Sequence, residues 1–171
     1  YPTASIGPGG LVGLSPAFPL VGGTKRLGKG EPVFVDTGFG CEGYFTDKTR
    51  VFSLGALPAQ AMEAHAMCLD IQEAIRCRLK PGAVPSRIYE EVCDKFVHSR
   101  GFAQHFMGFG GNQVPFLGHG IGLAIDEFPV IAGKVHTPLE ADMVIAVEPK
   151  KGLTDIGLVG VENTFRVTAE G

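Results

Sequence analysis

Apolar and polar positions alternate most clearly over residues 33–52, VFVDTGFGCEGYFTDKTRVF. Two runs rich in Val, Phe and Thr flank a glycine-rich turn, which predicts an antiparallel hairpin over 33–54. With Gly40-Cys41-Glu42-Gly43 as the turn, centred between Cys41 and Glu42, Asp36 stands directly across from Asp47. Directly opposed side chains share a face, with Cβ atoms about 5 Å apart. Residues 1–30 are rich in Gly and Pro and predict irregular loop with short extended pieces. Pro58 opens a helical period that reaches about residue 80, where Pro81-Gly82 stops it. Met62, Ala66 and Leu69, with Gln72 or Ile75, form its expected inner stripe. A second helix is expected from Pro85-Ser86 to Gly101, burying Ile88, Val92 and Phe96 at i, i+4, i+8. Arg100 in its last turn and Gly101 at the cap suit a helix end.

Residues 102–117, FAQHFMGFGGNQVPFL, are aromatic and glycine-rich and suit a substrate-lining loop. Three extended segments are expected after it, over 118–123, 143–149 and 158–168. Strands, two helices, then strands predict an α+β fold with helices on one face of a curved antiparallel sheet. At 171 residues and 44% hydrophobic composition, the chain can bury a core and is read as one domain over 1–171. It begins without methionine and stops just after a strand-like run, so a piece of a longer polypeptide, truncated on its amino-terminal side, is expected. A net charge of −3 gives no footprint for nucleic acid or an acidic membrane. No apolar stretch is long enough for a bilayer and no signal peptide is visible. Cys41, Cys68, Cys77 and Cys93 lack CxxC spacing and read as reduced thiols of a cytoplasmic protein.

The chemistry lies in charges set among apolar neighbours. Asp36 and Asp47 crowd two like charges beside Val33, Phe34, Val35 and Phe45, an arrangement that a cation relieves. His119 stands in LGHGIGL, where flanking glycines admit a close backbone or ligand. Taken alone, a histidine in an apolar strand is more often a satisfied core residue than a ligand. Glu148 ends the run VIAVEP, and Glu162 lies in LVGVENTF. Either glutamate alone could face solvent, but four such acids with one glycine-flanked imidazole point to a single site. Carboxylates that bridge let five ligands hold two cations about 3.5–4 Å apart, where water is activated and a carbonyl polarised. An oxygen-rich set with one nitrogen suits Mn²⁺ or Co²⁺, with Fe²⁺ or Zn²⁺ as alternatives, rather than a thiolate zinc site.

The stretches DTGFGCEGYFTDKTR, GHGIGL, VEPK and VENT resemble the "pita-bread" metallopeptidases, the group of methionine aminopeptidase, aminopeptidase P, prolidase and creatinase. The resemblance covers about residue 25 to 171. It implies the pita-bread fold, a peptide as partner, frequent homodimerisation and a dinuclear hydrolytic site. By that similarity Asp36 holds one ion, while Asp47 and Glu162 bridge both. His119 and Glu148 complete the second, and they are the catalytic candidates, Glu148 as general base. Thr49-Arg50 after the aspartate is closer to the Xaa-Pro branch, which implies a dipeptidase or aminopeptidase P activity. Two departures accompany the match. The loop at residues 14–20 lacks the histidine usual before the first metal aspartate. Asp126 occupies the place of a second histidine that usually contacts substrate, and aspartate cannot donate unless protonated. Asp126 and His105, from the aromatic loop, are therefore the substrate-facing candidates. Two alternative functions are a non-catalytic binding module that keeps the metal site and a creatinase-like C–N hydrolase.

Overall fold

A computed structural model describes residues 2–7 and 26–171. The expected hairpin is formed by β2 (Pro32–Cys41) and β3 (Tyr44–Ser53). Its turn has only two residues, Glu42 and Gly43, with φ of 52° and 88°. Both central residues of a type I′ turn need positive φ, which Gly43 supplies without cost. The register therefore differs from the expected one: Asp36 pairs with Thr49 and Asp47 with Gly38. The slip is two residues, so it preserves the side-chain face, and the aspartates become diagonal rather than opposed neighbours. β1 (Pro2–Ile6) adds antiparallel to β2, within a stretch expected to be mainly loop. The loop at 14–20 lies outside the described residues.

Helix α1 (Ala59–Arg76) buries Ala61, Ala64, Cys68, Ile71, Gln72 and Ile75. It ends four residues short of the expected stop. The expected stripe is also out of phase, because Met62 and Leu69 are 54% and 45% exposed and Ala66 is exposed. Small side chains at 61, 64 and 68 face inward where α1 lies against the strands β6 (Val144–Val147), β7 (Lys150–Leu153) and β8 (Gly157–Gly160). Longer Met and Leu at those positions would hold the helix off the sheet. Helix α2 (Pro85–Val92) runs on into a π-helical turn, Cys93–His98, with Ile88, Val92 and Phe96 buried as expected. Gly101 closes it at a φ of 65°.

The aromatic stretch is mostly irregular, with one short 3-10 turn at Gly110–Asn112. Beyond it, β4 (Phe116–Gly120), β5 (Glu127–Ala132), β6 and β9 (Asn163–Arg166) form a sheet in the order β5-β4-β6-β9. β7 and β8 pair separately, and every strand pairing is antiparallel. Strands β5 and β7 were not expected, since Pro129 interrupts one and Pro149 precedes the other. The result is α+β, as expected. The core gathers Ile71 and Ile75 of α1 with Leu117, Ile131, Ile145, Val147 and Val159 of the strands. Among the described residues no helix is long and apolar enough to cross a membrane.

The glycines around His119 are needed by the sheet itself. A Cβ on Gly118 would lie 2.3 Å from the carbonyl oxygen of Ala146, and one on Gly120 would lie 2.6 Å from that of Phe128. Backbone cannot yield there as a flexible side chain would. Gly118→Ala is therefore expected to cost about 1–3 kcal/mol in denaturant unfolding, and to weaken any metal bound by His119. Unfolding at the wild-type midpoint would contradict that close approach.

Candidate metal centre

The candidate residues meet at the seam between the two larger sheets. Strand β3 is joined laterally to β9 through Thr164, whose Oγ1 donates to the Asp47 carbonyl at 3.0 Å and accepts the Asp47 N–H at 3.4 Å. One step along, the Glu162 N–H donates to the Thr49 carbonyl at 3.3 Å. These bonds bring Asp47 of the hairpin beside Glu162, which precedes β9. Strand β4 supplies His119, paired with Ala146 of β6, and Glu148 directly follows β6.

Ligand atoms of Asp47, His119 and Glu162 all lie within 4.8 Å of one another. His119 Nε2 is 3.6 Å from Glu148 Oε1. Asp36 reaches Asp47 by a side-chain hydrogen bond across the diagonal of the hairpin. All five predicted ligands are thus brought together. Glu148 and Glu162 are 7% and 2% exposed, which removes the reading that places them on a solvated face. Asp126 stands at the rim, with Oδ1 3.5 Å from His119 Nε2. His105 is held within its own loop. It accepts from the Gly110 N–H at 3.1 Å and stacks on Phe109 with ring centroids 4.1 Å apart. It borders a cavity of about 400 Å³ lined also by Gln60, Glu63, Met67, Phe102 and Lys151, none of them a candidate ligand.

His119 is prepared as a ligand. Its Nδ1 lies 2.9 Å from the Gly120 carbonyl oxygen, which can only accept, so Nδ1 is the donor and Nε2 is the ring nitrogen turned toward the acids. Thr49, 2% exposed, donates from Oγ1 to Glu162 Oε2 at 2.9 Å. Arg50 donates to the carbonyls of Thr49 and Glu162 at 2.7 and 2.8 Å, and to Asn163 Oδ1 at 2.7 Å. Asn163 in turn donates to Gln72 Oε1, and Gln72 to the Val147 carbonyl, at 2.8 and 2.9 Å. This relay links α1, β3 and β9 to the strand end that carries Glu148. Nothing local in the sequence around Thr49-Arg50 signals this positioning role. A further residue not foreseen from the sequence is Lys150, which is 3% exposed and whose ammonium contacts the Glu148 carboxylate. Lys150 stands in EPKKG, outside any apolar run, so the signal that marked Glu148 does not mark it.

Burial raises the Asp47 carboxyl to about 8, reinforced by the charge of Asp36 and by donation of a hydrogen bond to it. Burial likewise raises Glu162 to about 9, helped by the charges of Glu148 and Asp47. Asp36 is raised by burial, with Lys150 opposing. Between the ordinary carboxylate range and these values the folded chain holds protons that the unfolded chain releases. Metal-free stability is therefore expected to be greatest in mild acid and to fall as pH rises through about 8–9. A divalent ion must displace the same protons, so Mn²⁺ binding at pH 7 is expected to release them. Calorimetry in buffers of different ionisation enthalpy measures that release, and an enthalpy independent of buffer would contradict it.

The chain matches metallopeptidase family M24 over residues 9–169. A Xaa-Pro dipeptidase of Pyrococcus furiosus is 28% identical over 151 residues, 88% of this chain and 41% of that protein. Among solved structures, the prolidase from Pyrococcus furiosus superposes with a TM-score of 0.82 at 26% identity, covering 98% of this chain and 46% of that one. The X-Pro aminopeptidase from Thermotoga maritima gives 0.83 at 26% identity, covering 99% and 45%. The chain spans less than half the length of each of these relatives. Five metal-type donors meeting in one seam, on a fold shared with these enzymes, agree with the sequence match: the chain is a pita-bread member of metallopeptidase family M24.

Proposed function

We propose that this chain carries the metal site of a peptidase acting on Xaa-Pro bonds, of dipeptidase or aminopeptidase P type. The convergence of Asp47, His119 and Glu162 within 4.8 Å, with Glu148 3.6 Å from His119, carries the reading. The donor set fits divalent ions. Carboxyls crowded enough to hold protons near neutral pH gain most from a cation, and His119 already presents a free Nε2. Asp36, Asp47, His119, Glu148 and Glu162 would hold up to two ions, Mn²⁺ or Co²⁺ being the best match to oxygen-rich ligation. Such ions, when bound, activate water and polarise the carbonyl under attack.

The chain's own groups supply the rest. Glu148 would take a proton from the attacking water and return it to the departing nitrogen. Thr49 fixes one Glu162 oxygen and leaves the other for an ion. Arg50, Asn163 and Gln72 lock the strand ends, so that Glu148 and Glu162 need not reorganise on binding. Asp126, exposed at the rim, would meet the cationic amine of a short peptide rather than an oxyanion. Asp126 also favours the second reading, a binding module that keeps its ions, because no oxyanion donor is supplied at that position.

The two readings separate on turnover. The chain, or a longer polypeptide containing it, loaded with Mn²⁺ or Co²⁺, is expected to cleave Xaa-Pro dipeptides or longer Xaa-Pro peptides. Full metal loading with no cleavage of either class would leave the binding module as the better account. Free thiols at Cys41, Cys68, Cys77 and Cys93 support a reducing, cytoplasmic setting.

A further inference from the structure

Strand β7 carries two adjacent lysines that alternation sends to opposite faces, and both are buried. Lys150 meets the Glu148 carboxylate. Lys151, 8% exposed, meets only carbonyls and a ring. Its ammonium donates to the Phe102 carbonyl at 3.0 Å and to that of Gln104, and it lies 4.5 Å from the centre of the Phe102 ring. Among the described residues no carboxylate pairs with it, and burial holds its pKa below the usual lysine range. An ammonium has three donors, so one is left after the two carbonyls. A buried cation without a counter-ion is costly, and an anion relieves that cost. Lys151 lines the cavity of about 400 Å³ bounded by α1, residues 101–105 and β7. Met67, Phe102 and Leu153 give the cavity an apolar wall, and Gln60 and His105 add polar groups. His105 accepts the Gly110 N–H through Nδ1, so its Nε2 is the donor. Glu63, an exposed residue, is the acid among the lining side chains, which suits a monoanion over a phosphate or a polycarboxylate.

We propose that this cavity is a binding site for a small monocarboxylate with an apolar body, separate from the metal seam. The carboxylate takes the remaining Lys151 donor, and the body packs on Phe102, Met67 and Leu153. Pockets of this size ordinarily hold small molecules by an apolar lining with a few placed polar groups. None of the lining residues is among the five metal donors, so the inference goes beyond the metal-site reading and does not depend on it. A lysine that served only to clamp residues 102–104 to β7 would affect stability and bind no carboxylate.

Titration of the full chain in chelator with 3-phenylpropanoate, followed by calorimetry and amide chemical shifts, tests it. The chelator removes any ion that could itself hold a carboxylate. Wild type is expected to bind saturably with a Kd of about 1 mM or tighter, with shifts concentrated at Phe102, Gln104, His105 and Gly152. The neutral 3-phenylpropanamide should bind at least about tenfold more weakly, because a charge-assisted hydrogen bond is lost. Lys151→Met is expected to remove that preference. Gln60→Trp, a bulky change at an exposed helix position on the cavity, is expected to abolish binding with the fold intact. No binding by wild type, equal binding of the amide, or shifts confined to the strands around His119 would overturn the site. So would a preference for the acid that survives Lys151→Met. Should Lys151→Met fail to fold, the acid–amide comparison in wild type decides together with Gln60→Trp, whose undiminished binding would overturn the site.

Discussion

Asp47→Ala is expected to abolish tight metal uptake while leaving the chain folded. Asp47 is the hairpin residue in the compact donor group, and it is also hydrogen-bonded to Asp36, so its loss removes one donor and the partner of another. Loss of groups that merely orient a ligand costs about 10–100-fold in metal affinity, and loss of a ligand itself should exceed that range. The companion effect has the opposite sign. In metal-free protein Asp47 is a buried acid next to another acid, so its removal relieves repulsion. In chelator, Asp47→Ala should melt no lower than wild type, and higher above about pH 8, where wild type must carry the charge. A variant that binds Mn²⁺ with wild-type stoichiometry would refute the assigned ligation. One that melts well below wild type in chelator would show that Asp47 is structural.

Glu148→Gln is the second large effect, and it separates proton transfer from ion binding. Glutamine keeps the shape of the side chain, and its amide oxygen still accepts from Lys150, so the seam should stay assembled. What disappears is the ability to take a proton. A general base contributes about 10²–10⁴-fold, so kcat on an Xaa-Pro substrate should fall by that factor. Affinity for the first Mn²⁺ should change by less than about tenfold, because the tight donor group does not include residue 148. A rise in KM at unchanged kcat would assign Glu148 to uniform binding instead.

Most of the site was legible because its signals are local. A carboxylate or imidazole inside an apolar run announces itself whatever the tertiary arrangement, as Asp36, His119, Glu148 and Glu162 do, while Asp47 is marked by its place across the hairpin from Asp36. The hairpin was legible, but its register was not. Of the two glycines in GCEG, only Gly43 sits at a positive φ, and which of them does so decides where the turn is centred. The error moved Asp36 from opposite Asp47 to opposite Thr49 and spared the face, since a two-residue slip keeps side-chain parity. The phase of α1 was hidden for another reason. Hydrophobicity ranks Met62 and Leu69 above Ala61 and Ala64, whereas close packing on β7 and β8 demands the smaller pair. Strands β5 and β7 were hidden by their prolines. Arg50, Asn163 and Gln72 could not be paired from sequence, because each bond spans nearly a hundred residues or more. Lys150 carried no such signal, because it stands beside Lys151 in EPKKG rather than inside an apolar run.

The proposed centre requires acids and an imidazole from separate strands to close on the same ion. Anomalous diffraction from crystals soaked in Mn²⁺ tests this directly. The expected result is a principal peak about 2.0–2.3 Å from a carboxylate oxygen of Asp47, one of Glu162 and His119 Nε2. A peak elsewhere, or none at saturating Mn²⁺, would contradict it.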